Sequence, residues 1–117
     1  METHQQCEGI EENACKILGH LARDEDSHPT IVSEGGITRV LCAMQAHPKC
    51  PGVQQCACMA LGNLATLNAN KVRINRGGGI PRVLLAMEHH RDFAGVQESG
   101  CSALYQLGLH SGNLVRS

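Results

Sequence analysis

The sequence predicts an all-α chain, an α-solenoid built from three-helix repeats with a period of 43 residues. Three observations lead there: internal repetition, helical spacing of the apolar residues, and a near absence of aromatic rings. Ile10, Val53 and Val96 lie 43 residues apart, as do Cys15, Cys58 and Cys101. Leu18, Leu61 and Leu104 share the same register, and so do Leu21, Leu64 and Leu107. Residues 10–52 and 53–95 are identical at 17 of 43 positions without a gap, and 96–117 match 53–74 at 9 of 22. A period of this length marks a stacked repeat.

The elements follow in order within one unit. In 53–65, Val53, Ala57, Ala60, Leu61 and Leu64 fall on one face of a 3.6-residue period, which predicts a long helix. A short helix is expected near 71–77, with Asn70 as its N-cap and Ser27 and Asn113 as the matching caps. Gly35-Gly36 and Gly77-Gly78-Gly79 then turn the chain, since glycine adopts positive φ without strain. A second long helix spans about 80–90, with Pro81 in its first turn, where a missing N–H costs nothing. Loops 47–52 and 90–95 lead into the next unit. These boundaries divide the chain into 1–9, the end of a preceding repeat, then 10–52, 53–95 and a partial unit 96–117.

Composition excludes several classes. Aromatics are 2% of the 117 residues, with Tyr105, Phe93 and no tryptophan, so the core must be aliphatic. A β-propeller blade has a similar period, but its Trp-Asp signature is missing and the spacing is helical throughout. A two-helix repeat is the closer rival, and the short capped helix with its glycine corner favours three. Ten basic against eleven acidic residues give a net charge of −1, which implies no bulk attraction to nucleic acid or membrane. No apolar run approaches the roughly 20 residues of a membrane span, and the N-terminus carries no secretory signal pattern. Seven cysteines, an odd number set in helix-like stretches, read as reduced thiols of a cytoplasmic or nuclear protein.

The unit resembles the armadillo repeat family. Ala60-Leu61-Gly62-Asn63-Leu64-Ala65 matches the ending of that family's last helix, and Gly78-Gly79-Ile80-Pro81 matches its glycine corner. Related stretches are 17–22 and 103–108, so the resemblance covers essentially the whole chain. It implies a right-handed superhelix whose long third helices line a concave groove. In importin-type and catenin relatives an extended peptide lies there, held by a ladder of asparagines and clamped by tryptophans. Asn63 stands at the ladder position, and His20 and Gln106 are its equivalents. The tryptophan position holds Lys16, Met59 and Ser102, so the aromatic slots for basic side chains are missing. The resemblance therefore implies a protein-interaction module, without catalysis or cofactor, that binds a partner's peptide segment at Lys16, His20, Met59, Asn63, Ser102 and Gln106. It argues against a nuclear-localisation-signal receptor.

Other constellations are weaker. Lys71, Arg73, Arg76 and Arg82 form a basic cluster that offers an alternative site for nucleic acid or an acidic partner. Residues 1–38 carry eight acids and two bases, whereas 39–117 carry eight bases and three acids. His47, Cys50, Cys56 and Cys58 match no common zinc spacing. No Lys-Ser or Lys-Thr follows the glycine runs, so they are turns, not phosphate loops. Cys15, Cys58 and Cys101 are in phase with the packed face, and His47 and His90 end the second helix, where a cation suits the dipole. Neither end carries a capping unit, which predicts a segment of a longer array or ends covered by another chain, end-to-end self-association included.

Overall fold

The computed structural model describes residues 4–108, with side chains from residue 8 onward. Every regular element in this span is helical: α1 (His4–Leu21), a 3₁₀ turn (Glu25–Ser27), α2 (His28–Ser33), α3 (Gly36–Ala46), α4 (Pro51–Leu64), α5 (Asn68–Arg76), α6 (Gly79–His89) and α7 (Ala94–Gly108). The helices α1, α4 and α7 pack side by side, and α3 and α6 lie against them and against each other. The short helices α2 and α5 pack on α3 and α6, respectively. Each unit thus holds three helices, and the same order recurs at 43 residues.

The core lies between the long helices. Val53, Ala57, Ala60 and Leu64 of α4 are fully buried, and so are Val96, Ala103 and Leu107 at the matching places on α7. The equivalents on α1 are not: Ile10, Ile17 and Leu21 are 52%, 59% and 49% exposed. Register alone placed Ile10 and Leu21 in the packed face. Among the described residues, no preceding long helix covers that side of α1, which is the physical reason for the difference. Cys101 departs in the mirror sense. Cys15 and Cys58 are buried between neighbouring helices, whereas Cys101, on the far side of α7, is exposed.

Glycine sets the spacing of the row. A Cβ on Gly19 of α1 would collide with the Met59 side chain and lie 3.6 Å from the Ala60 nitrogen of α4. At Gly62 of α4 it would lie 3.4 Å from the Ala103 Cα of α7. Each internal joint therefore sets a glycine against an alanine 41 residues on. The glycine position on α7 is Tyr105, 66% exposed, and the alanine position on α1 is Ile17.

The corners behave as the sequence indicates. Gly35 and Gly78 have φ of +82° and +86°, the left-handed region in which other residues are strained. The glycines after them, Gly36 and Gly79, press on the side chains of Ile31 and Ile74, where a Cβ would clash. The short-helix caps differ from expectation. Leu67, not Asn70, occupies the N-cap of α5, and Ser27 sits at the N-cap of α2 without a side-chain hydrogen bond. Asn113 lies outside the described residues. The N-terminal boundary also differs, since residues 4–9, assigned above to the end of a preceding repeat, continue α1 as one helix.

Asn70 does another job. Its Nδ2 donates to the carbonyl of Leu64 (2.9 Å), the last residue of α4, and to Nδ1 of buried His28 (3.1 Å). His28 Nε2 in turn donates to the Ala22 carbonyl at the end of α1 (2.6 Å). A carbonyl only accepts, so the neutral ring carries its proton on Nε2. A buried chain thus satisfies orphan carbonyls at the ends of two neighbouring long helices.

Asn70→Ala leaves Leu64 O and His28 Nδ1 without this donor. A loss of about 2–3 kcal/mol is expected, read from chemical denaturation. At the close approach, Gly62→Ala should be neutral or gain up to roughly 1 kcal/mol of helix propensity. Gly62→Leu should lose about 1–3 kcal/mol by forcing α4 from α7.

Candidate functional site

The six groove positions lie on the three long helices packed side by side. Lys16 and His20 of α1 are exposed, Met59 and Asn63 of α4 are half-buried, and on α7 Ser102 is exposed and Gln106 half-buried. Each pair is four residues apart, one turn of helix, so the three pairs form matching rows. Cross-helix proximity is explicit between α1 and α4. The Lys16 ammonium acts on the Cys56 thiol, and the Met59 side chain fills the space left open by Gly19.

Asn63 is partly committed to the fold. Its Nδ2 donates to the Gly19 carbonyl at 2.9 Å, tying the last turn of α1 to α4. Its Oδ1 accepts no hydrogen bond among the described residues. Asn63 therefore brings one acceptor to the surface and spends donor capacity on its neighbour. His20, Ser102 and Gln106 make no side-chain hydrogen bond among the described residues. They supply the row's uncommitted polar groups, and on α1 Lys16 shares the row with Glu12, whose charge acts on the same Cys56 thiol.

The basic cluster does not stay together. Lys71 is only 6% exposed, buried at the start of α5, which removes it from the surface patch. Helical periodicity accounts for this correction, since Lys71 and Ile74 share the inward face of α5 and Arg73 and Arg76 share the outward one. Arg82 is half-buried on α6. Arg73 and Arg76 remain as an exposed pair one turn apart, beside an open cleft of about 660 Å³.

The histidines and glutamines at the unit joints are structural. His90 Nε2 donates to the Pro48 carbonyl at 2.8 Å, linking the loop after α6 to the loop after α3. His90 thus joins two loops from the C-cap of α6. Gln54 Nε2 donates to the carbonyls of Met44 (3.1 Å) and His47 (2.9 Å). Gln97 repeats this with Met87 (2.9 Å) and His90 (3.0 Å). Both close the end of the preceding helix. The signal for them was present as an identity at 43 residues. The first copy carries Glu11 instead, 3.6 Å from Arg39.

The six described cysteines are free thiols, and no group of three or more candidate metal ligands converges among the described residues. Burial pushes the Cys58 thiol up to about 12. Cys15 is also pushed up to about 12, first by burial and then by the Glu11 charge. Cys56 is raised by burial and by Glu12. No helix among the described residues is long and apolar enough to cross a membrane.

Comparison with protein-family models, curated proteins and solved structures returns no match to this chain.

The thiolate is the reactive species, so thiols with raised values alkylate slowly. At pH 8, iodoacetamide should label Cys42 and Cys101 well before Cys15 and Cys58, as read by peptide mass spectrometry.

Proposed function

We propose that the chain is an armadillo-type α-solenoid, a right-handed superhelix acting as a non-enzymatic protein-interaction scaffold in the cytoplasm or nucleus. The ligand is an extended or helical segment of a partner protein, lying across α1, α4 and α7. The observation that carries this reading is the matching of three pairs, polar except for Met59, on adjacent helices that bury a common core between them. Lys16 and His20, Met59 and Asn63, Ser102 and Gln106 recur one helix apart, so a segment crossing the row meets a new pair at each step. Polar side chains without internal partners can bond peptide groups and leave the core intact. Met59 adds an adaptable apolar contact between them. Free thiols accord with a reducing compartment.

The internal bond of Asn63 determines which variant tests this reading. Asn63→Ala alters the α1–α4 joint as well as the surface, so it should lower both binding and melting temperature. His20→Ala with Gln106→Ala removes only uncommitted groups. Peptides selected from a displayed random library on the unmodified chain should bind this double variant about tenfold more weakly, with an unchanged melting temperature, as expected from losing two hydrogen bonds. Unchanged affinity for all selected peptides would falsify the groove assignment.

A further inference from the structure

An open cleft lies away from the groove. It straddles two units: Val32 of α2 and Ile37 and Leu41 of α3 form one side, and Val72, Arg73 and Arg76 of α5 the other. Its volume of about 660 Å³ can accommodate a few side chains. Gly77 helps to make it, because a Cβ there would lie 2.8 Å from Leu41 Cδ1. Val72 is 40% exposed although it is aliphatic. No carboxylate among the described residues pairs with Arg73 or Arg76, and neither side chain makes a hydrogen bond there. Glu34 adjoins the cleft next to Gly35 without bridging to either guanidinium.

We propose that this cleft is a second docking site, for a short acidic and apolar peptide segment of another protein. Charge complementarity selects the occupant. Two guanidiniums one turn apart, with their donors unspent, match carboxylates in forked pairs. The aliphatic surface beside them takes the segment's apolar side chains, whose burial supplies the non-directional part of the affinity. A nucleic acid would bring phosphates but would leave the aliphatic surface unused, and the cleft offers no ring on which a base could stack. The cleft contains none of the six groove residues, so the two sites can be occupied and disabled independently. Arginines in the last turn of α5 also favour the helix dipole. A purely structural role of that kind would appear as lost stability with no effect on binding.

The test uses fluorescence anisotropy on the full chain with a labelled synthetic decapeptide of alternating glutamate and leucine. The comparison probes are decaglutamate and a ten-nucleotide oligothymidylate. The Glu–Leu peptide should bind more tightly than either. Arg73→Ala with Arg76→Ala should weaken it about tenfold or more, as expected from losing two charge-assisted contacts. Thr38→Trp, which fills the cleft from an exposed position on α3, should weaken it similarly and leave the melting curve unchanged. His20→Ala with Gln106→Ala should leave this affinity unaltered, which separates the cleft from the groove. The proposal is overturned if the Glu–Leu peptide does not bind, or binds the arginine double variant as well as the unmodified chain. It is also overturned if decaglutamate or the oligonucleotide binds equally tightly, because charge alone would then account for the site.

Discussion

The arrangement of the long helices depends on how closely neighbouring backbones approach. Gly19 meets the backbone at Ala60, and Gly62 meets that at Ala103. Two small residues facing each other let the helices sit deep in one another's surface, so Cys15, Leu61 and Leu64 lose contact with water. With so few rings in the chain, burial has to come from many aliphatic contacts at short range. A side chain substantially larger than alanine's at either glycine would push one helix away from the next. The polar rows on the outer face would separate with it, since their spacing is that of the helices that carry them.

A second constraint concerns backbone groups. A stack of short and medium helices has many ends, and each end leaves carbonyls without intrahelical partners. This chain satisfies several of them from a neighbouring element. Gln54 and Gln97 close the ends of α3 and α6. Asn70 and His28 close those of α4 and α1, and Asn63 reaches back to Gly19. Such bonds orient one element against the next, which apolar contact alone does not do. They also explain why polar residues recur at fixed places inside an otherwise aliphatic interior.

Much of the helical architecture was legible in the sequence because repetition and periodicity act locally. The 43-residue register located the corners, and Gly35 and Gly78 take the positive φ that a sharp turn requires. What escaped was the direction in which polar side chains act. Asn70 looked like an N-cap because it stands near the start of a short helix with cap-competent residues in register. Its amide instead reaches a partner 42 residues away, which nothing in local sequence encodes. Lys71 looked like part of a surface cluster because the charges are close in sequence, but Arg73 follows it by two residues, about half a helical turn, which puts the two on opposite faces. Within the groove, the positions could be named from the pattern. Which amides were already committed could not, because that depends on where the neighbouring helix ends. The cleft beside Arg73 and Arg76 left no sequence signal of its own, since it forms only where two units meet.

The substitutions at Ile17 and Tyr105 bear on how such a chain can lengthen by duplication. A tandem copy of 53–95 placed after itself would again set glycine against alanine at both new seams, because that block carries Gly62 and Ala60 together. A block added against α7 would meet a phenol ring, and one added against α1 a branched isoleucine. The middle unit is thus an interchangeable part, whereas Ile17 and Tyr105 break the glycine–alanine pairing on α1 and α7. Duplication of that block would therefore lengthen the row while keeping the same close approach at each new seam.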